Sequence, residues 1–573
     1  MSVIGFSGAR CKNCYKCVRH CKVKAIMVKN EQATIIDDKC ILCGHCLEIC
    51  PQTAKYLNSD MERVKEFIRK GERVVISMAP SYFGLLKFNK PGQVLAALQK
   101  LGFYQIRETA EGAAYVTEAY ERLIEEGKMD NIITTCCPSA NDLIEIYYPE
   151  LIQYMAPVVS PMVAHGRLIK EELGEDTKVV FLGPCIAKKK EAEDPRCTGA
   201  IDAVLNFSEV ERWLEEEGIV IEELEPISFH NANPNVNRLY PVTNGVINSV
   251  FARKKKTDGY RKFYVHGVDN LVELFKSMVK GEVHGCFIEV NVCSGGCIKG
   301  PIVKEEAEGY SRFKIKLDME ETIPIEPVNP EEYPDLQKVE ISKEFYDHSP
   351  EAKQPTEAQI KEILHKIGKY SKEDELNCGA CGYATCREKA IATFQGKAEL
   401  GMCMPFMHSR AESMSNMVLE NTPNVIIIVD SDMRILEFSK AAEEMFHVSK
   451  TEAKNMYLYE FIDSSNFEYV LNTHSSIVGK KVTYQQWNMT TEQNIVYIPE
   501  QDYVLGIFQN INDQEEREKK NYQIKMDTVE MAQKIIDKQM MVAQQIAGLL
   551  GETTAETKVT LNKLRDTIIN DGE

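Results

Sequence analysis

Hydrophobic positions change their spacing along this chain, and the changes mark out segments. Between residues 59 and 318, strand-length apolar runs alternate with amphipathic ones. "RVVISMAP" (73–80), "NIITTCCP" (131–138) and "KVVFLGPC" (178–185) are β-rich and end in Pro or Cys. "MERVKEFIRKG" (61–71) and "SEVERWLEEEG" (208–218) carry helical spacing and stop on glycine. The alternation predicts an α/β domain whose ligands gather beyond the strand ends. From about 320 to 355 the pattern breaks. Pro324, Pro327, Pro330, Pro334, Pro350 and Pro355 block regular structure and predict a linker. Thr356 and Gln359 then predict a capping box opening the helix "TEAQIKEILHKIGKY".

The pattern changes again after residue 420. "NTPNVIIIVDSDMRILEFSKAAEEMF" (421–446) reads as strand, Asp-rich turn, strand and helix. "VTYQQW", "NIVYIP" and "YVLGIFQNI" follow as further strands. From about 513 the chain is helical. Gly551 is expected to stop a first helix, and Thr553 with Glu556 to cap a second. Met531, Ile535, Val542, Ile546 and Leu549 form an apolar stripe suited to helix pairing, so a homodimer is expected.

Composition narrows the function. A chain of 573 residues, 44% hydrophobic and 27% charged, is that of an ordinary soluble protein with room for several domains. Its net charge of −18 argues against a nucleic-acid partner. The basic run "RKKK" (253–256) reads as solvated surface. No export signal opens the sequence, and no apolar stretch reaches the roughly 18–20 residues of a membrane span, so a cytoplasmic protein without a membrane partner is expected. In that compartment the 19 cysteines point to metal binding or redox chemistry instead of disulfides.

The cysteines fall in groups. Cys11, Cys14, Cys17 and Cys21 give C-x2-C-x2-C-x3-C, and Cys40, Cys43, Cys46 and Cys50 repeat it, followed by Pro51. This is the two-cluster bacterial ferredoxin signature, whose fourth cysteine serves the other cluster. One [4Fe-4S] cluster is therefore expected on Cys11, Cys14, Cys17 and Cys50, and the other on Cys40, Cys43, Cys46 and Cys21. Lys12, Lys16, Lys22 and Lys24 either favour reduction of these anionic clusters or are solvated. Cys378, Cys381, Cys386 and Cys403 give C-x2-C-x4-C-x16-C, with Gly379 and Gly382 free to fold around a cube. Iron–sulfur is the expectation for each set, and zinc is the alternative.

Three further stretches stand in order: "TTCCPSA", "GPCIAKKKE" and "EVNVCSGGCIKGP". They resemble the three signature motifs of the [FeFe]-hydrogenases, and the resemblance covers residues 1 to about 315. It implies an H-cluster: a [4Fe-4S] cube on Cys137, Cys185, Cys293 and Cys297, bridged through Cys297 to a two-iron subcluster carrying CO, cyanide and a bridging dithiolate. With the ferredoxin pair and the later cysteine set, four [4Fe-4S] clusters are implied. The resemblance places Lys188 and the Pro80–Ser81 stretch "MAPS" on the two cyanides, and Glu289 just outside the cluster. It further implies that Cys136 relays a proton, with Glu118 and Glu121 as onward acceptors or ordinary surface glutamates. A thiol near its usual pKa of about 8.5 suits such a relay. Cys197 and Cys286 match no motif and are expected to be buried thiols. Departures from the family are Ser139-Ala140 in place of Gly-Trp, Gly183 and Asn291 in place of methionines, Met162 in place of Gln, and the ending "KGP". They leave the ligands and rewrite the pocket around the two-iron unit, which implies slow turnover.

Residues 415–512 resemble a PAS domain, and the helical tail resembles signalling helices. His447 reads as structural and not as a haem ligand. The combination resembles the sensory [FeFe]-hydrogenases. It implies a multidomain α/β fold: two-cluster ferredoxin domain (1–58), α/β H-cluster domain (59–318), linker (319–355), four-cysteine iron–sulfur domain (356–412), α+β PAS domain (413–512) and C-terminal helices (513–573). The leading expectation is a low-turnover H2-responsive redox sensor. Its partners would be H2 and protons, a redox partner such as ferredoxin, and a signalling kinase or phosphatase. A catalytic hydrogenase with a regulatory PAS domain, or an iron–sulfur electron carrier without the two-iron unit, are the alternatives.

Overall fold

Every residue of the Val74–Met78 strand is buried, so both faces of its sheet must be covered. It lies inside a four-stranded parallel sheet in the order Gln105–Glu108, Val74–Met78, Lys178–Leu182, Ala203–Leu205. A second parallel sheet runs Arg261–His266, Cys286–Asn291, Ile132–Ile133. Parallel pairing demands crossovers, which the helices Ala110–Glu126, Pro161–Leu173 and Val268–Val279 supply. The computed structural model describes residues 2–231, 235–252, 259–303, 312–322, 338–351, 353–454 and 456–570. Pro324, Pro327, Pro330 and Pro334 of the expected linker, and the basic run at 253–256, lie outside the described residues.

The expected elements form, with informative differences. The helices Met61–Arg69 and Phe207–Glu216 are each followed by a glycine at positive φ, Gly71 and Gly218. Asn206 and Glu209 cap the second reciprocally. The strand expected over 131–138 pairs only at Ile132–Ile133, because the chain then leaves the sheet to present Cys136 and Cys137. Gly112 lets two helices touch: a Cβ there would fall 2.4 Å from the Pro161 carbonyl and 2.6 Å from the His165 Cβ.

The expected linker is partly pinned down. The Arg312–Glu321 helix runs past its expected start at 319, burying Ile315 and Met319 beside Leu239, Val242 and Ile298. Residues 339–348 lie along the α/β domain: Val159 donates to the Ile341 carbonyl, Lys343 to that of Pro157 and His348 to that of Glu145. Thr356 and Gln359 cap Glu357–Lys366 as expected.

The chain divides into two units, Met1–Met407 and His408–Glu573. The second holds a five-stranded antiparallel sheet in the order Ile435–Phe438, Val425–Val429, Tyr503–Asn510, Met489–Ile498, Ile477–Tyr484. Its core includes Ile427, Val429, Phe438, Phe467 and Phe508. One expectation fails outright. The tail is a single helix, Asn512–Asn570, with no stop at Gly551 and no cap at Thr553. An exposed glycine inside a helix costs only about 1 kcal/mol, and the Thr553 hydroxyl donates back to the Leu549 and Leu550 carbonyls. No helix among the described residues is long and apolar enough to cross a membrane.

Candidate functional site

Strand ends deliver the candidate residues to one place. Val74–Met78 leads into Pro80 and Ser81, Gln105–Glu108 into Thr109, Ile132–Ile133 into Cys136 and Cys137, Lys178–Leu182 into Cys185, and Cys286–Asn291 into Cys293. These are carboxyl ends of parallel strands, where α/β folds gather ligands. A cavity of about 90 Å³ is lined by Pro80, Ser81, Cys136, Cys185, Lys188 and Cys297, together with Thr109, Met162 and Asn291. Ser81 is fully buried, and its hydroxyl has no hydrogen-bond partner among the described residues. A buried hydroxyl in that condition fits a polar group bound in the cavity.

A neighbouring cavity of about 40 Å³ is lined by Cys137, Cys185, Cys293 and Cys297, and by Cys43 from the ferredoxin-like segment. Burial pushes the thiols of Cys137 and Cys293 up, and that of Cys185 to about 11. For Cys185 and Cys293 the other thiols add to the effect. Four half-buried thiols around one cavity, which cannot ionise together without a cation, could serve as the donor set of a metal cluster. Cys137 is also the residue that opens the Pro138–Tyr147 helix.

Lys188 lies in the Ala187–Glu193 helix and is 8% exposed. Its ammonium donates to Glu191 Oε2 at 2.6 Å and to the Cys136 carbonyl at 3.3 Å. Glu191 also accepts from Ser160 at 2.9 Å and lies 3.9 Å from the buried Lys343 of the pinned linker. Sequence reasoning missed Glu191, although it stands inside the quoted "GPCIAKKKE". Lysine and glutamate three apart on a helix meet on one face, and that spacing was the available signal.

Cys136 departs from its expected titration. Burial pushes its thiol up to about 12, against the hydrogen bond from Tyr120 and the charge of Lys188. Tyr120 Oη is 3.3 Å from the Cys136 sulfur and accepts from the Thr135 amide at 2.9 Å. Tyr120 was not singled out from the sequence, because an aromatic in an apolar helix face reads as core. Glu121 is buried, and Glu118, half-buried, pairs with Arg122 at 3.4 Å. Glu289 is fully buried and accepts from the Ile247 amide at 2.9 Å. Burial pushes its carboxyl up to about 8, and the amides of Gly245–Ile247 only partly offset this.

The other cysteine sets converge as well. Cys21 faces Cys40, Cys43 and Cys46, the crosswise grouping expected of a two-cluster ferredoxin, and Cys17 faces Cys11 and Cys14. Ala25 donates to the Cys21 sulfur and Ala54 to the Cys50 sulfur, both at 3.3 Å, so the two halves repeat one local geometry. Cys378, Cys381, Cys386 and Cys403 line one small cavity with the buried Lys389. Two of the four lysines around these clusters tie segments together. Lys22 meets Asp269 at 2.7 Å, and Lys24 donates to the carbonyls of Val18, Arg19 and Gly382. Cys197 and Cys286 are buried thiols, as expected.

Of the positions that depart from the family, Ser139 lines the second cavity, and Met162 and Asn291 line the first. A side chain at Gly183 would fall 2.5 Å from the Phe181 ring, which lines the cavity itself. Ala140 is buried against Ile41, and Ser139 donates to the Leu42 carbonyl at 3.4 Å.

Comparison with known proteins agrees with this geometry. Residues 72–301 match the family "Iron only hydrogenase large subunit, C-terminal domain". Residues 4–51 match a 4Fe-4S dicluster domain, 374–405 an Fe-S cluster family and 416–487 the PAS fold. Iron hydrogenase 1 of Clostridium pasteurianum is 27% identical over 379 residues, 49% of this chain and 66% of that protein. The periplasmic [Fe] hydrogenase large subunit of Nitratidesulfovibrio vulgaris is 31% identical over 279 residues, 39% of this chain and 66% of that protein. A cytosolic Fe-S cluster assembly factor of Xenopus tropicalis is 20% identical over 354 residues, 49% of this chain and 74% of that protein. This chain thus spans just under two thirds of the two hydrogenases' length. A [FeFe]-hydrogenase structure from Chlamydomonas reinhardtii aligns with 51% of this chain and all of its own, at 17% identity and a TM-score of 0.41. Residues 72–301 thus match the iron-only hydrogenase large subunit, and the chain joins to them the dicluster, Fe-S and PAS matches expected of the sensory type.

Proposed function

We propose that the protein is an H2-responsive redox sensor of low turnover. One observation carries the reading: one cavity is lined by Cys136, Lys188, Ser81, Cys185 and Cys297, residues from four separate stretches of sequence. A bare iron–sulfur cube needs neither a buried ammonium nor an unpartnered hydroxyl. Cys137, Cys185, Cys293 and Cys297 would hold the cube of an H-cluster. A two-iron unit bound there supplies reversible heterolytic cleavage of H2.

The chain's own groups do the rest. The Lys188 ammonium and the Ser81 hydroxyl are donors suited to anionic cyanide. Cys136 holds a proton at its sulfur, hydrogen-bonded to Tyr120. Met162, Asn291 and Phe181 reshape the wall, which is the basis for slow turnover. Electrons have a route outward. Cys43 lines the cube cavity and faces Cys21. Cys21 and Cys381 pack in one apolar cluster with the buried Tyr383. The Cys378–Cys403 set would thus exchange electrons with the ferredoxin-like clusters, and the PAS domain and helix would report its state to a signalling partner.

The test is infrared spectroscopy of protein reconstituted with the two-iron cofactor. CO and cyanide bands that shift under H2, with little steady-state H2 evolution, are expected. Bands with rapid turnover would favour a catalytic hydrogenase. No bands in a protein with intact cubes would leave an electron carrier.

A further inference from the structure

A second hydrogen-bonded chain begins at the same cavity. Thr109, in its wall, follows directly on the Gln105–Glu108 strand. Thr109 Oγ1 lies 2.8 Å from Ser77 Oγ, Ser77 Oγ 2.7 Å from His165 Nδ1, and His165 Nε2 3.1 Å from Glu111 Oε2. The three inner groups are buried, Ser77 and His165 completely. The outer one keeps 20% of its side chain exposed. The run is therefore unbroken from the cavity wall to solvent, through groups that each give and take protons.

The fold goes to some length to hold His165 there. Only a glycine at 112 allows the Pro161–Leu173 helix to come this close to the Ala110–Glu126 helix. The charged groups that face the imidazole are Glu111, Arg107 and Glu172. Arg107 grips Glu111 at 2.7 Å and 3.2 Å, and Asn231 adds a bond at 3.0 Å. Burial favours a neutral imidazole, while the hydrogen bond from His165 and the Arg107 guanidinium outweigh the cost of burial and hold the Glu111 carboxyl below its usual range.

These states fix the direction of the bonds. An ionised Glu111 accepts from His165 Nε2–H. A neutral imidazole then accepts at Nδ1, so Ser77 donates to it and Thr109 donates to Ser77. The Thr109 oxygen then keeps an acceptor position that no bond of this run uses, in a residue of the cavity wall.

We propose that Thr109, Ser77, His165 and Glu111 form a proton path between the cavity and solvent, separate from the Cys136–Tyr120 contact. A proton released in the cavity is taken by the Thr109 oxygen, which passes its own proton to Ser77. Ser77 passes its proton to His165 Nδ1, and the Nε2 proton moves to the Glu111 carboxylate and on to water. Each group gains one proton and loses one, and no redox partner is needed. Glu111 and His165 are here positioning and relay residues, not ligands. The proposal rests on the hydrogen-cleaving reading above.

The experiment uses the full chain, loaded with its clusters and the two-iron cofactor. Two variants interrupt the path without touching Glu111, Ser77→Ala and Thr109→Val; Thr109→Ser keeps the hydroxyl. The first readout is the infrared difference on stepping the electrode potential. A carboxylate band whose shift disappears in Glu111→Gln identifies Glu111, and that shift is expected to be lost in both interrupting variants and kept in Thr109→Ser. The second is H2/D2O exchange, expected to fall about tenfold or more in both interrupting variants and to recover in Thr109→Ser. A purely structural network would leave the Glu111 band responding in Thr109→Val, and that result overturns the path, as does unchanged exchange. If the unsubstituted protein shows no CO or cyanide bands, the hydrogen reading fails and the path falls with it. Bands with an unaffected Thr109→Val overturn the path alone.

Discussion

Glu289 shows how burial sets chemistry one residue at a time. It is fully buried, its carboxyl is raised from 4.5 to about 8, and the amides at the start of the Gly245–Phe251 helix only partly compensate. Near pH 7 the folded protein therefore holds a proton there that the unfolded chain has released. Linkage gives the sign: between 4.5 and about 8 the native state binds more protons, so this group lowers stability as pH rises. A carboxyl C=O stretch from Glu289 should persist at pH 7, fade as pH passes about 8, and be absent in Glu289→Gln. The same substitution should remove this group's share of the pH slope, a few kcal/mol at most. Gly183 makes a second case at this scale. Its missing side chain is matched by Phe181, so Gly183→Met should overpack the wall and cost about 1–3 kcal/mol, read from unfolding of the apo chain. Phe181→Ala in the same chain should return part of that loss. The cysteine ligand candidates and Lys188 were legible in the sequence because metal-site spacings are short and local. The Phe181–Gly183 exchange was not, because a swap of volume between neighbours shows only in packing. The hydrogen bond of Tyr120 and the partners of Glu191 were hidden for the same reason.

Between elements, the contact of the Fe-S segment with the ferredoxin-like segment has the most consequence. Gly382 sits at φ 94°, and a Cβ there would fall 3.0 Å from the Arg19 amide nitrogen and 2.8 Å from a Val18 methyl. Only glycine fits that approach. Lys24 fastens it with three carbonyls, and Glu399 accepts from the amides of Asn30 and Glu31. Gly382→Ala should push the two segments apart without removing a ligand cysteine. In chemically reduced protein, the magnetic coupling between clusters should then weaken in the electron paramagnetic resonance spectrum, while iron content stays constant. Unaltered coupling would show that the contact does not set the distance between clusters. The glycines of "CGACGYATC" were read correctly as sites of backbone freedom. Their second use was illegible, because the partner surface lies about 360 residues away in sequence. The strands and most helices were legible from period alone, since burial on one or two faces imposes it. The strand expected at 131–138 was overextended because apolar letters do not say where pairing stops.

At the scale of the whole molecule, the long C-terminal helix raises a question of solubility. Asn512–Asn570 would be roughly 90 Å long at the usual rise per residue. Along it Met531, Ile535, Val542, Ile546 and Leu549 are all exposed, as are Ile524, Val529, Met540 and Leu550. An amphipathic helix of that length gains its stability from burying such a face, not from propensity. Spacings of four, seven and eleven keep Met531, Ile535, Val542 and Ile546 on one side, close to the seam of a two-stranded coiled coil. The expected stop at Gly551 misread this: a single glycine without a partner surface is cheaper to keep in the helix than a break would be. A second copy of the helix is the simplest cover, and it would also give the PAS domain a route for output through a dimer. Light scattering of the full chain at micromolar concentration should therefore give twice the monomer mass of 65.0 kDa. Ile535→Glu combined with Ile546→Glu should bring it to the monomer mass, because two charges in the seam cannot both be solvated there. Cluster content and the visible absorption spectrum should not change. A wild-type chain that scatters as a monomer would mean that this face is covered by a different protein, and the search for the signalling partner should then begin with this helix.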